Sequence, residues 1–230
     1  MKIIILAAGI GSRLNAADDH LPKSLTQLEN GVSILQYQLD TLASVFSLED
    51  VFIVVGYKKE VVLDRFPNFA YIFNPNFAEE NTSKSLLRAL NKVNEDVLWL
   101  NGDVLFHPSV LHKILETNQS VLVVNEAAVG EEEVKYRTDK HGLIVELSKQ
   151  VNHPQGEALG INFFKQQDLS ILKQELERCK PSDYFEKAIE EGIKKGLRVG
   201  NISIDLNECV EIDFPEDLIK ANQILKSWYS

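Results

Sequence analysis

Four short segments hold residues whose types and spacing suit phosphate and metal chemistry. The first runs Leu6-Ala7-Ala8-Gly9-Ile10-Gly11-Ser12-Arg13-Leu14, with Pro22-Lys23-Ser24 downstream. Glycine exposes backbone N–H groups and lets an anion approach closely. Leu6, Ala7, Ala8, Gly9, Gly11 and Ser12 thus form a candidate phosphate cradle, and Arg13 and Lys23 add fixed positive charge beside it. The segment is not a Walker loop, because G-x-x-x-x-G-K-[ST] is absent. It is not a full dinucleotide fingerprint, because Leu14 holds the third glycine position. Gly9 and Gly11 alone fit a plain strand-to-helix turn equally well; Arg13 and Lys23 tip the reading towards phosphate.

The second segment is Asn101-Gly102-Asp103. An Asp at the end of a buried strand suits Mg²⁺, which binds through one or two carboxylates plus substrate phosphates. It suits capping of the following turn as well. The third is Glu211-Ile212-Asp213-Phe214-Pro215-Glu216-Asp217, where Asp213 is a second candidate ligand and Glu216 and Asp217 read as helix N-terminal acids. The fourth is Asn81-Thr82-Ser83-Lys84-Ser85. Here a helix cap competes with reading of a base by the Asn81 amide. The five histidines show no ligand spacing, and Glu131-Glu132-Glu133 reads as a solvated loop.

These segments sit at the ends of regular elements. Ile3–Leu6, Val51–Val55 and Val97–Leu100 are continuous apolar runs, the mark of strands buried on both faces of a parallel sheet. Ala70–Phe73 and Val121–Asn125 are two further strands. Helical spacing follows Ser33, and recurs over Lys59–Arg65, Ser83–Val93 and Ser109–Glu116. Strand alternating with helix means βαβ units, and ligands of such sheets lie beyond the strand carboxyl ends. After Gly130 the rhythm changes. Val134–Thr138 and Leu143–Leu147 suit a hairpin around Asp139-Lys140-His141-Gly142. A strand over Ala158–Phe164, helices over Gln167–Arg178 and Tyr184–Lys195, a short strand over Val210–Asp213 and a last helix from Pro215 follow. The expected fold class is α/β, a mostly parallel central sheet flanked by helices with a small antiparallel insertion in the second half.

Composition narrows the partners. The 230 residues carry 24 basic and 34 acidic side chains, a net charge of −10. That balance argues against binding of nucleic acid or an anionic membrane surface, but leaves room for a few cations in a cleft. Cys179 and Cys209 form no C-x-x-C pair, so neither a disulfide scaffold nor a thiolate zinc site is expected. The early apolar run is too short for a membrane span or a signal peptide. A cytoplasmic monomer or homodimer is the expectation.

The combined motifs resemble those of the nucleotidyltransferases that activate sugar phosphates and phosphocholine. L-A-A-G-x-G-[ST]-R-L followed by P-K is present at Leu6–Leu14 and Pro22-Lys23, and the family's metal aspartates match Asp103 and Asp213. Within that family the chain is most similar to the small phosphocholine cytidylyltransferase-like branch. The likeness rests on Asn81–Leu86, on Asn101–Phe106, and on Lys149 followed by Gly156-Glu157-Ala158-Leu159-Gly160. Phe214 departs from the common Ser or Thr, and the Asn15–Leu21 loop is acidic rather than proline-bearing.

The resemblance implies a Rossmann-like fold of the nucleotide-diphospho-sugar transferase type and one domain over 1–230. Residues 1–125 would mainly bind nucleotide; 126–230 would bind the acceptor and supply the second metal ligand. It implies Mg²⁺ on Asp103 and Asp213, and an NTP, CTP first, over the Gly9–Arg13 loop with Gly102 beneath. Arg13 would face the leaving pyrophosphate, Lys23 the α-phosphate and Lys149 the acceptor phosphate. Asn81 and Ala8 would face the base, with Ser85 supporting them, and Glu157 the acceptor head group. If that head group is choline, aromatic faces are wanted, and Tyr136, Phe163 and Tyr184 are the candidates. A sugar-1-phosphate nucleotidyltransferase is the alternative. A glycosyltransferase would bring a D-x-D motif, and Asp103 is followed by Val104-Leu105. A non-catalytic nucleotide-binding module would show damage at Lys23, Asp103 or Asp213, and all three are intact.

Overall fold

The computed structural model describes residues 1–11, 14 and 21–228. β1 (Lys2–Ala7), α1 (Ile34–Ala43), β2 (Val51–Val55), α2 (Lys59–Arg65), β3 (Ala70–Phe73), α3 (Thr82–Leu90) and β4 (Val97–Asn101) make up the first part. β5 (Val104–Phe106), α4 (Pro108–Leu115), β6 (Val121–Asn125), β7 (Lys135–Thr138), β8 (Ile144–Ser148) and β9 (Gly156–Phe164) follow. α5 (Leu169–Arg178), α6 (Phe185–Lys194), β10 (Gly200–Ser203), β11 (Cys209–Glu211) and α7 (Pro215–Trp228) complete it. A single 3₁₀ turn, Lys23–Leu25, carries the Pro22-Lys23 motif.

Among the described residues the main sheet has nine strands, with the path β10-β6-β9-β4-β1-β2-β3 and the β7–β8 hairpin paired to β9. β1, β2, β3 and β4 pair in parallel, as do β6 and β10. β9 runs antiparallel between β4 and β6. The sheet is therefore mostly parallel with an antiparallel insertion, as its apolar strand runs require. Period-two alternation splits β1 between two cores. Ile3, Ile5 and Ala7 pack with Leu35, Leu39 and Leu42 of α1 on one face. Ile4, Leu6 and Ala8 pack with Leu86 and Leu90 of α3 and with α5 and α6 on the other.

Two strands are absent from the sequence reading. β10 is an edge strand without a strong apolar run. β5 is three residues long, and pairs antiparallel with β11 as a separate two-stranded sheet. A third core, Leu105, Val210 and Ile212 against Tyr37 and Ala221, fixes this small sheet on α1 and α7. It matters most for the site. Ile212 donates its backbone N–H to the Asp103 carbonyl at 3.0 Å, so two aspartates 110 positions apart in sequence are brought side by side. No helix among the described residues is long and apolar enough to cross a membrane. Cys179 and Cys209 are both buried and free.

Candidate active site

The carboxyl ends of β1 and β4 open onto a cleft of about 520 Å³. β1 delivers Leu6 and Ala7 to its wall, with Gly9 just beyond. Gly11 has φ +68°, and a Cβ there would lie 2.6 Å from Lys23 Cβ. Only glycine lets the loop turn left-handed and close onto the lysine. Gly102 answers a second constraint. A Cβ on it would sit 2.7 Å from the Leu6 carbonyl, so β4 can end against β1 only without a side chain.

Lys23 Nζ then lies 2.6 Å from Asp103 Oδ2 and 2.6 Å from Asp213 Oδ1. The two carboxylates converge on one point. Burial works against the Lys23 ammonium, but Asp103 and Asp213 outweigh it and raise its pKa above the usual lysine value. Asp213 is held from behind. Asp217 Oδ2 accepts from the Asp213 and Phe214 N–H groups at 3.0 and 2.8 Å, which is the capping role expected of that acid.

The donor set fits Mg²⁺. Two hard carboxylates share one centre already favourable to a cation, and Asp103 Oδ1 is buried without a hydrogen-bond partner, ready for a further ligand bond. No cluster of three or more His, Cys, Asp or Glu suited to a metal exists among the described residues.

A recess of about 70 Å³ adjoins the cleft through Leu6, Gly9 and Thr82, and is lined also by Ala8, Asn81 and Ser85. Asn81 caps α3, its side-chain oxygen accepting from Thr82 N–H at 2.8 Å. The Asn81 amide donates weakly to the Ser182 carbonyl. Ser85 accepts from the buried Asn74 amide at 3.0 Å. The capping role and the recess-lining role of Asn81 coexist. Ser12 and Arg13 lie outside the described residues.

Another part of the cleft wall carries Lys149, Glu157 and Tyr184. Lys149 Nζ is 3.0 Å from Glu132 Oε2 and 5.3 Å from the Tyr184 ring centroid. Glu157 accepts from the Asn125 amide at 2.6 Å. Burial pushes the Glu157 carboxyl up, against the Asn125 bond that lowers it and with the Glu133 charge that raises it. Tyr136 and Phe163 are placed elsewhere. They are 3% and 5% exposed, packed in the two main cores, so an aromatic cage does not form around this end.

Several lining residues escaped the sequence reading. Glu132 and Glu133 line the cleft from the loop before β7, in which Glu131 and Glu132 are exposed, as a solvated loop requires. Glu186, at the start of α6, and Lys220, on α7, also line it. Glu211 accepts from the Gly160 N–H at 2.7 Å. Burial first, and the Asp103 charge next, raise its carboxyl well above the usual range. Its signal was visible in Glu211-Ile212-Asp213, where alternation along a strand puts 211 and 213 on one face.

A family model described as the MobA-like NTP transferase domain matches residues 3–158. The chain belongs to this family. The glycine loop and the strand-end Asp103 both fall within the matched span. Among curated relatives, the bifunctional protein GlmU of Methanococcus aeolicus is 28% identical over 99% of this chain and 55% of its own length. The CMP-5′-(3-aminopropyl)phosphonate synthase of Streptomyces rubellomurinus is 28% identical over 96% of this chain and 38% of its own. The chain spans about half the length of the first curated relatives it matches. The solved inositol-1-phosphate CTP transferase from T. maritima superposes with a TM-score of 0.81 at 19% identity, covering 100% of this chain and 96% of that one. This likeness establishes the NTP transferase fold.

Proposed function

We propose that this chain catalyses nucleotidyl transfer from an NTP, CTP in the first instance, to a small phosphorylated alcohol or a phosphonate, releasing pyrophosphate. The observation that carries the reading is the convergence of Asp103, Asp213 and Lys23 at the glycine-loop end of a cleft that continues into a small recess. The name of the Streptomyces relative supports a CMP product.

The chemistry needs no general base. An anionic oxygen of the acceptor attacks the α-phosphorus in line. A new P–O bond forms, the bond from the α-phosphorus to the bridging oxygen breaks, and its electron pair leaves with pyrophosphate. Lys23 neutralises the α-phosphate region, and Lys149 draws in the acceptor's phosphate. Gly9 and Gly11 hold the polyphosphate by backbone N–H groups, with Ser12 and Arg13 assigned to the pyrophosphate. Catalysis is positioning plus charge neutralisation. Mg²⁺ held by Asp103 and Asp213 would supply charge neutralisation and a template for the two phosphoryl groups.

In this reading residues 1–125 mainly bind nucleotide and 126–230 mainly the acceptor. Pyrophosphate release with Mg²⁺, measured across four NTPs and a panel of phospho-alcohols, phosphonates and sugar 1-phosphates, tests it. Turnover with at least one pair, lost in Asp103→Ala, is the expected result. Turnover confined to sugar 1-phosphates would keep the reaction and overturn the acceptor. Failure to bind any Mg–NTP would overturn the reading itself.

A further inference from the structure

Three carboxylates, Glu133, Glu157 and Glu186, stand among the residues that line the cleft. Glu186 is the second residue of α6, and its side chain lines the cavity. Its Oε2 atom is buried with no hydrogen-bond partner, and so is Oε2 of Glu133 nearby on the wall. Glu157 completes the group, with one oxygen on the Asn125 amide. Buried polar atoms almost always find a partner, and leaving one orphaned is costly. Two orphaned carboxylate oxygens on residues that line one cavity are therefore explained best by a ligand that donates.

The chemistry of the donor follows from what else is present. A trimethylated nitrogen has no N–H to offer and is held by aromatic faces. Of the three aromatic candidates Tyr184 reaches the cleft, where Phe214 is the second aromatic lining residue among those described, and the Tyr184 ring already lies 5.3 Å from the Lys149 ammonium. A sugar presents neutral hydroxyls, which leave the charge of a buried carboxylate uncompensated. A primary ammonium is a compact charge with three N–H donors and no acceptor. It matches a wall of carboxylates. The anionic end of the same molecule would meet Lys149.

Accepting the nucleotidyltransferase reading, on which this rests, we propose that the acceptor carries a primary amine at the end opposite its phosphate or phosphonate, and that Glu186 is the residue that selects it. Glu186 binds the ammonium directly, supported by Glu133 and Glu157. Burial pushes the Glu186 carboxyl up to about 7, with its own backbone N–H and the Lys149 charge opposing. A bound ammonium would restore the carboxylate.

The test compares phosphoethanolamine with phosphocholine, which differ only in methylation of nitrogen, in the full chain and in Glu186→Gln. The wild type should favour phosphoethanolamine by about 10- to 100-fold in kcat/KM, the worth of one charged hydrogen-bonded contact. Glu186→Gln should bring that ratio to about unity, mainly by raising the phosphoethanolamine KM, since the contact exists before and during transfer. Fluorescence-detected melting of the variant checks that it folds, and Mg–CTP binding is measured separately on both proteins. Equal or better use of phosphocholine by the wild type would overturn the proposal, as would an equal loss on both acceptors in the variant. Turnover of sugar 1-phosphates alone would overturn it while nucleotidyl transfer stands. Absence of Mg–CTP binding would remove the underlying reading as well, so the two failures are told apart.

Discussion

At the residue scale the account turns on Lys23, the single ammonium shared by Asp103 and Asp213. Lys23→Met removes that charge from a partly buried site and leaves two facing carboxylates uncompensated. We expect kcat to fall by about two to three orders of magnitude, the usual worth of one preorganised charge at a reacting phosphate, and the melting temperature to fall as well. Steady-state kinetics and thermal melts read both. Glu186 gives a prediction of opposite sign for stability. Its carboxyl titrates at about 7 in the folded chain and at an ordinary carboxylate value unfolded. Between those values the folded state holds a proton that the unfolded state releases, so stability falls as pH rises through the window. The whole effect amounts to roughly 3 kcal/mol at most. Glu186→Gln removes it. Denaturant titrations should therefore show the variant gaining on the wild type from pH 5 to pH 8, and a constant difference would refute the assignment.

At the element scale the site depends on two close approaches and one short strand pair. Gly102→Ala would force a Cβ against the Leu6 carbonyl. Overpacking of this kind costs about 1–3 kcal/mol, and it displaces Asp103 next door, so activity should fall further than stability. Comparing denaturation midpoints with kcat for this variant separates the two. Much of this level was legible in the sequence. The continuous apolar runs of β1, β2 and β4 and the helical stripes of α3 and α7 declared themselves, because burial on two faces and period 3.6 leave plain patterns. β5 did not. Three residues are too few to show a period, and Val104–Phe106 is a strand only because β11 pairs with it. The same nonlocal pairing brings Asp103 to Asp213, so sequence could nominate both aspartates but not join them. Tyr136 and Phe163 erred for the opposite reason. Their types suit a cation, but their β7 and β9 positions face the cores, and strand facing outranks residue type. Glu133 and Glu186 look like surface acids in a row of letters; only the folded chain shows that an oxygen of each is buried without a partner.

At the scale of the whole molecule, charge decides how nucleotide can enter. The chain carries a net −10. Among the described residues the cleft is lined by eight carboxylates and three lysines. A bare triphosphate meets repulsion there, screened only partly by salt. CTP affinity measured by calorimetry should therefore fall by about tenfold or more when the divalent cation is chelated, and a CTP affinity indifferent to chelation would contradict the electrostatic account. The antiparallel second half serves the same end. By inserting β9 between β4 and β6 and folding the β7–β8 hairpin back on it, the chain brings Lys149, Glu157 and the start of α6 to the mouth that β1 and β4 open.

The most direct test of nucleotidyl transfer follows the label of CTP. Incubation with Mg²⁺ and phosphoethanolamine is run once with α-³²P-CTP and once with γ-³²P-CTP. The account predicts the α label in a conjugate of CMP with the acceptor and the γ label in pyrophosphate, with both products absent in Asp213→Asn. The γ label appearing as orthophosphate, or the α label remaining in CTP with every acceptor tried, would contradict it.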